Sequence, residues 1–139
     1  QLEQIITIIK QRLGNLASKK ITILGISFKP NTDDIRDSIA IELIKKLKKR
    51  KANITIHDPK AMENTEKIFG DKINYAKTVA DALSKSQCVV IMTQWKQYEK
   101  INNNQFKNMK KKFVVDCRRM LISKQLDVDY FAIGLGKEN

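Results

Sequence analysis

The stretch GISFKPNTDDIRDS, residues 25–38, brings two cations, Lys29 and Arg36, alongside three carboxylates, Asp33, Asp34 and Asp37. Lysine is a point charge on a flexible stem, and arginine is a planar fork that fits phosphate oxygens. These residue types suit a ligand that carries phosphate. The same stretch also has a purely local reading. Thr32, Asp33 and Asp34 are good helix N-caps, and carboxylates there complement the helix dipole. Asp33, Asp34 and Arg36 could then form a capping network, with Lys29 solvated. Residue chemistry alone leaves both readings open.

Other chemistry is sparse. His57 is the one histidine, and Cys88 and Cys117 are the two cysteines. They are too few and too far apart for a zinc pattern, so no metal site is expected. Cys88 sits in the apolar run CVVIM and reads as core. Cys117 reads as a small residue in a tight turn. A disulfide is not expected either.

The elements that must position these residues follow from periodicity. Leu2, Ile5, Ile6, Ile9 and Leu13 recur at helical spacing, with Gly14 as a C-terminal cap. ITILGIS (21–27), NITIHDP (53–59), CVVIMT (88–93), KFVVD (112–116) and YFAIG (130–134) read as strands. Several of these runs are apolar throughout, as befits strands buried on both faces. Helices are predicted over about 35–51, over 78–86 with Thr78 as the cap, and from Trp95 to about Met109. Strands alternating with helices predict an α/β fold, a Rossmann-like, doubly wound parallel sheet in three layers. A boundary is expected near residues 14–20, which separates a leading helical segment (1–18) from the α/β domain (19–139).

In such sheets ligands bind at the carboxyl ends of the strands, near the switch point. Residues 28–36 occupy that place after the first strand. A dinucleotide turn needs G-x-G-x-x-G there. Only Gly25 is present, and Phe28 and Lys29 stand where backbone would have to approach a pyrophosphate. Asp58 ends the second strand where a ribose-binding acid would sit, but with Pro59 following, a turn-capping role is the favoured reading. His57 is expected to be partly exposed.

The composition bounds the function classes. The 139 residues carry a formal charge of +12, from 22 lysines and 5 arginines against 15 acids. Such a charge raises nucleic acid as a partner. The basic runs, such as KKLKKRK (45–51), lie at a helix end and in turns, and few aromatics interleave them as a stacking platform requires. Nucleic acid is therefore not expected. No apolar run reaches the roughly 20 residues of a membrane span. With no signal peptide visible, the reading is cytoplasmic, with no membrane partner.

The motifs GISFKPNTDDIRDS, IHDPKA (56–61), VVIMTQW (89–95), VVDCRRML (114–121) and YFAIG resemble, in order, the C-terminal, UDP-sugar-binding domain of the UDP-glucose/GDP-mannose dehydrogenase family. The likeness is greatest to its UDP-glucose 6-dehydrogenase branch and covers nearly the whole chain. The resemblance implies a piece of a nucleotide-sugar dehydrogenase. Such enzymes convert UDP-glucose, two NAD and water to UDP-glucuronate, through a cysteine in a glycine-rich motif; neither Cys88 nor Cys117 lies in one, so the resemblance implies no catalytic residue in this piece. It implies that Phe28, Lys29 and Arg118 bind the nucleotide sugar. Arg36 would reach toward an NAD held mainly by an N-terminal domain. The leading helix would be the tail of a central dimerisation helix, so the whole enzyme would be a homodimer or larger. The isolated piece is expected to be inactive. Where the family has glycine before its arginine, this chain has Cys117, which would be strained if that backbone were left-handed. Other readings are a free-standing nucleotide-binding module, a GDP-mannose or UDP-N-acetylmannosamine dehydrogenase piece, and a basic nucleic-acid-binding domain.

Overall fold

A computed structural model describes residues 1–134. Six strands form one parallel sheet: β1 (Lys20–Leu24), β2 (Asn53–His57), β3 (Asn74–Tyr75), β4 (Cys88–Ile91), β5 (Phe113–Asp116) and β6 (Asp129–Ala132). Their order is β3-β2-β1-β4-β5-β6. The chain winds outward from β1 to β3 on one side, then returns to the centre and winds out from β4 to β6.

Helices cover both faces. α1 (Leu2–Leu13), α2 (Ile39–Lys49) and α3 (Met62–Phe69) pack on one face, against Ile21, Ile23, Ile54, Ile56, Val90 and Val115. The short helices α4 (Val79–Leu83) and α5 (Asn103–Phe106) cover the other, against Leu24, Val89, Ile91 and Val114. Alternate residues of β4 thus serve opposite cores, which is why its sequence is apolar throughout. Fully burying one such aliphatic side chain contributes roughly 1.5–3 kcal/mol.

α1 belongs to this packing. Ile5 and Ile9 are fully buried in the core that α2 shares. Its last turn is pinned to the far edge of the sheet: Arg12 donates to Asp129 at 2.7 Å and lies over the Phe131 ring.

Some elements differ from those the sequence predicts. β1 stops at Leu24, because Gly25 turns the chain at φ 91°. α2 begins only at Ile39, capped by Ser38, whose Oγ accepts from the Ile41 amide. Thr32, Asp33 and Asp34 therefore do not cap it. The stretch expected as one helix from Trp95 is a 3-10 turn (Lys96–Lys100) followed by α5. Ile101 is extended between them, and Asn102 starts α5 anew with a capping box. α3 and the two-residue β3 are additions.

The two cysteines are buried and free. The β4–β5 register ends with Ile91 opposite Asp116, so Cys117, one residue further, lies about four residues along the sheet from Cys88. At about 3.3 Å per residue that is about 13 Å, beyond the reach of a disulfide. Among the described residues no helix is long and apolar enough to cross a membrane.

Candidate functional site at the switch point

The sheet reverses its winding between β1 and β4, and crevices in such sheets open at that seam. A cavity of about 190 Å³ lies there, lined by Ser27 and Phe28 beyond β1, Ser38 at the start of α2, Met92 and Thr93 beyond β4, and Arg118 beyond β5. Three loops from widely separated parts of the chain thus meet at one pocket.

Gly25 lets them meet. A Cβ at this position would stand 2.6 Å from the Thr93 backbone nitrogen, and the backbone is left-handed besides. Only glycine fits both constraints. The seam is then closed by hydrogen bonds. The Met92 amide donates to Leu24, the Thr93 hydroxyl to the Ser27 carbonyl at 2.8 Å, and the Ser38 hydroxyl to the Ile26 carbonyl at 2.6 Å.

Two buried carboxylates fix the flanking turns. Asp58, just beyond β2, accepts from the amides of Ile26 (2.7 Å) and Ser27 (3.0 Å), the Ser27 hydroxyl (3.1 Å) and the Trp95 indole N–H (3.2 Å). Its other oxygen accepts from the amides of Lys60 and Ala61. The turn-capping role expected of Asp58 is therefore present, and it is half of what the residue does. Asp116, the last residue of β5, accepts from the amides of Arg118 and Leu121 and from the Tyr130 hydroxyl. Burial, followed by this bond to Asp116, pushes the Tyr130 hydroxyl well above its ordinary range.

The site residues expected from the sequence separate into two places. Phe28 and Arg118 both line the cavity. Phe28 is half exposed, so its ring is accessible at the edge of the cavity. Arg118 donates from Nε to the Met92 carbonyl at 2.8 Å, which anchors its guanidinium to the end of β4. Its backbone is not left-handed at Cys117; the positive φ falls on Arg119, at 55°. The strain that a left-handed backbone would have put on Cys117 is therefore absent. Lys29 is exposed, one residue beyond Phe28, with Nζ 5.8 Å over the Phe28 ring.

Arg36 lies elsewhere. Its side chain is 87% exposed and bonds Asp34 at 2.8 Å, in a separate open recess shared with Asn64. The hydrogen bonds from Arg36 hold the Asp34 carboxyl down at about 2, and the same contact raises Arg36. The local network between these two residues exists, although it caps no helix.

His57 is buried, contrary to the partial exposure expected. The Tyr98 hydroxyl donates to the His57 carbonyl at 3.0 Å, so His57 Nδ1 donates in turn to that hydroxyl at 2.8 Å. Burial pushes its pKa down, only partly opposed by Asp58. His57 is thus a neutral strut beneath the site. Burial likewise pushes the Cys117 thiol up to about 12, with the nearby Asp116 charge adding to the effect. Neither residue is poised as a nucleophile or base. Among the described residues no group of three His, Cys, Asp or Glu side chains could hold a metal.

Comparison with known proteins bears on what this pocket is for. Residues 22–123 match the model of the UDP-glucose/GDP-mannose dehydrogenase family, UDP binding domain. The chain belongs to this family. The match runs from within β1 to just past the Arg118 turn, so all of the pocket lies inside it. UDP-glucose 6-dehydrogenase AglM of Haloferax volcanii is 35% identical over 130 residues, covering 94% of this chain and 29% of that protein. The UDP-glucose 6-dehydrogenase of Rhizobium meliloti is 35% identical over 108 residues, covering 77% of this chain and 24% of that protein. Among solved structures, a UDP-glucose dehydrogenase from the archaeon Pyrobaculum islandicum superposes with a TM-score of 0.81 at 32% identity, over 94% of this chain and 28% of that one. The UDP-N-acetyl-mannosamine dehydrogenase Cap5O from Staphylococcus aureus, at 22% identity and a TM-score of 0.76, shares the fold. The chain thus spans less than a third of the length of these relatives.

Sequence reasoning reached Phe28 and Arg118 but missed Asp37, Ser38, Met92 and Thr93 as parts of the pocket, and Gly25 as the residue that lets the loops meet. Asp58 was visible as a carboxylate at a strand end. Its inward orientation was not, because it depends on β2 lying beside β1.

Proposed function

We propose that this chain is the nucleotide-sugar-binding domain of a UDP-glucose 6-dehydrogenase. Such an enzyme converts UDP-glucose, two NAD and water to UDP-glucuronate and two NADH, in the cytoplasm and as a homodimer or larger assembly. The single observation that carries this reading is the convergence of Phe28 and Arg118 on one cavity at the β1–β4 seam, inside the region matched to a UDP binding domain.

The work of this domain is positional and electrostatic. Arg118, already oriented by the Met92 carbonyl, offsets the charge of the diphosphate. Phe28 packs along the ligand and is covered by it. Lys29 adds a mobile cation beside the opening. Holding the diphosphate fixes where the sugar's C6 projects, toward chemistry supplied by other parts of the enzyme. The buried, protonated thiols of Cys88 and Cys117 have no part in it.

NAD supplies hydride acceptance in the whole enzyme, but the β1 turn does not fit it. The turn lacks the second and third glycines, and Asp58 already takes its amides. By the resemblance, Arg36, exposed and paired with Asp34 in its own recess, would reach a cofactor held by another domain.

Titration calorimetry of UDP, inorganic phosphate and a DNA duplex into the chain tests the reading. The expected result is weak UDP binding that falls further in Lys29→Ala, with no NAD reduction when UDP-glucose and NAD are supplied. Salt-sensitive DNA binding without a response to UDP would favour the nucleic-acid reading instead. Unchanged UDP affinity in Lys29→Ala would remove Lys29 from the site.

A further inference from the structure

We propose that Asp58 is a resident anion. Its carboxylate fills the place at the β1 turn where a dinucleotide-binding turn holds phosphate. It thereby closes that turn to ligand phosphate and positions the loop that carries Phe28 and Lys29. The inference rests on backbone geometry, and it stands whether or not the neighbouring cavity holds UDP.

Three observations lead to it. First, the turn itself has the layout of an anion cradle. β1 ends, a left-handed glycine follows, and the next two amides, of Ile26 and Ser27, point to one acceptor. Successive amides just beyond a strand and a glycine are how such turns recognise phosphate oxygens. Second, the acceptor here is protein. The register pairs Leu24 with His57, which sets Asp58 beside Gly25, and its Oδ2 receives both amides. In a dinucleotide-binding domain the acid at the end of the second strand faces outward to the ribose. Here it faces inward and replaces the phosphate rather than the sugar's partner. Third, the carboxylate is satisfied. Asp58 is 3% exposed and accepts from six N–H and O–H groups, four of them backbone amides. A second anion would find no free amide and would face a negative charge.

The consequence for function is a division of labour. Ligand phosphate is directed to the Arg118 side of the seam. The β1 turn serves instead as a rigid mount, tied through Asp58 to the β2 turn and to Trp95. Asp58 is thus a positioning residue acting through the loop it holds.

Trp95 is the only tryptophan and donates directly to Asp58, so its fluorescence reads the contact. The experiment compares wild type, Asp58→Ala and Asp58→Asn by Trp95 emission and thermal unfolding, with sodium formate or sodium chloride at equal ionic strength. The expected result for Asp58→Ala is shifted emission and a melting temperature lower by roughly 5 °C or more. Formate refills the cradle and recovers part of both changes, chloride does not, and wild type ignores both. In an Arg118→Ala background, which removes the cavity's own cation, pyrophosphate is expected to alter Trp95 emission only when Asp58 is also alanine.

A folded Asp58→Ala that ignores formate overturns the resident anion. Should Asp58→Ala fail to fold, Asp58→Asn decides. Its amide nitrogen must face N–H donors whichever way it turns, so altered emission, a lower melting temperature and no formate response are expected. Wild-type emission and melting in Asp58→Asn would overturn the proposal. Because these readouts need no UDP, they are separate from the outcome of the UDP titration.

Discussion

Arg118 donates from Nε to the backbone carbonyl of Met92 at 2.8 Å, bridging the turn after β5 to the end of β4. A guanidinium anchored through Nε has the plane of its fork fixed. Lysine cannot reproduce this, having one nitrogen and no fork. Arg118→Ala is expected to weaken UDP binding by about tenfold or more, in line with roughly 1.5–3 kcal/mol for a hydrogen bond to a charged group. Arg118→Lys should recover little of the loss. Calorimetry of both variants checks this, and full recovery by lysine would reduce the role of Arg118 to bare charge.

Gly25 makes a stability prediction that is independent of ligand. Alanine there must adopt a left-handed backbone and push a methyl against Thr93. The strain and the overlap each cost about 1–3 kcal/mol. Gly25→Ala should therefore lower the urea midpoint by an amount equivalent to at least ~2 kcal/mol. Gly14, which also has a positive φ but meets nothing within 4 Å, is a control: Gly14→Ala carries only the conformational cost.

His57 sets a pH dependence. Burial lowers its pKa below the ordinary 6.5, so the unfolded chain binds a proton that the folded protein refuses. Stability then rises with pH wherever the unfolded state holds more protons. The contribution is level above about 6.5 and is lost as pH falls below it. Thermal unfolding at pH 7.5 and 5.5 should show a smaller acid loss in His57→Gln than in wild type. An equal loss in both would assign the acid sensitivity to other groups.

The thiols give a simple reactivity test. Cys88 and Cys117 are fully buried, and burial pushes both pKa values up, that of Cys117 to about 12. An aromatic disulfide reagent should label neither in the native chain and both in denaturant. Rapid native labelling of Cys117 would contradict the packing around the Arg118 turn.

The parts of this fold that were legible in the sequence are those whose side chains state their own environment. β1, β4 and β5 are short β-branched runs that make sense only when buried on two faces. Ser38 shows the limit. Three better-placed caps precede it in sequence, yet the helix starts at Ser38 because its hydroxyl also reaches the Ile26 carbonyl, a tertiary demand. The Asn-rich stretch 102–104 hides a second start inside what reads as one polar helix. For the site, Phe28 and Arg118 were reached through the resemblance of the motifs GISFKPNTDDIRDS and VVDCRRML to the family, not through local residue chemistry. Met92 and Thr93 were not reached, because nothing local says that β4 returns to lie beside β1.

That return has a cost during synthesis. A chain leaving the ribosome amino end first can join β1 to β2 once residue 57 has emerged. The other edge of β1, with Ile21 and Ile23, stays open until residues 88–91 follow. For some thirty residues of elongation the nascent domain carries a naked apolar strand edge, the feature most prone to pairing with a neighbour. The seam that gives the finished protein its pocket is thus also where a half-made copy is most exposed to misassembly.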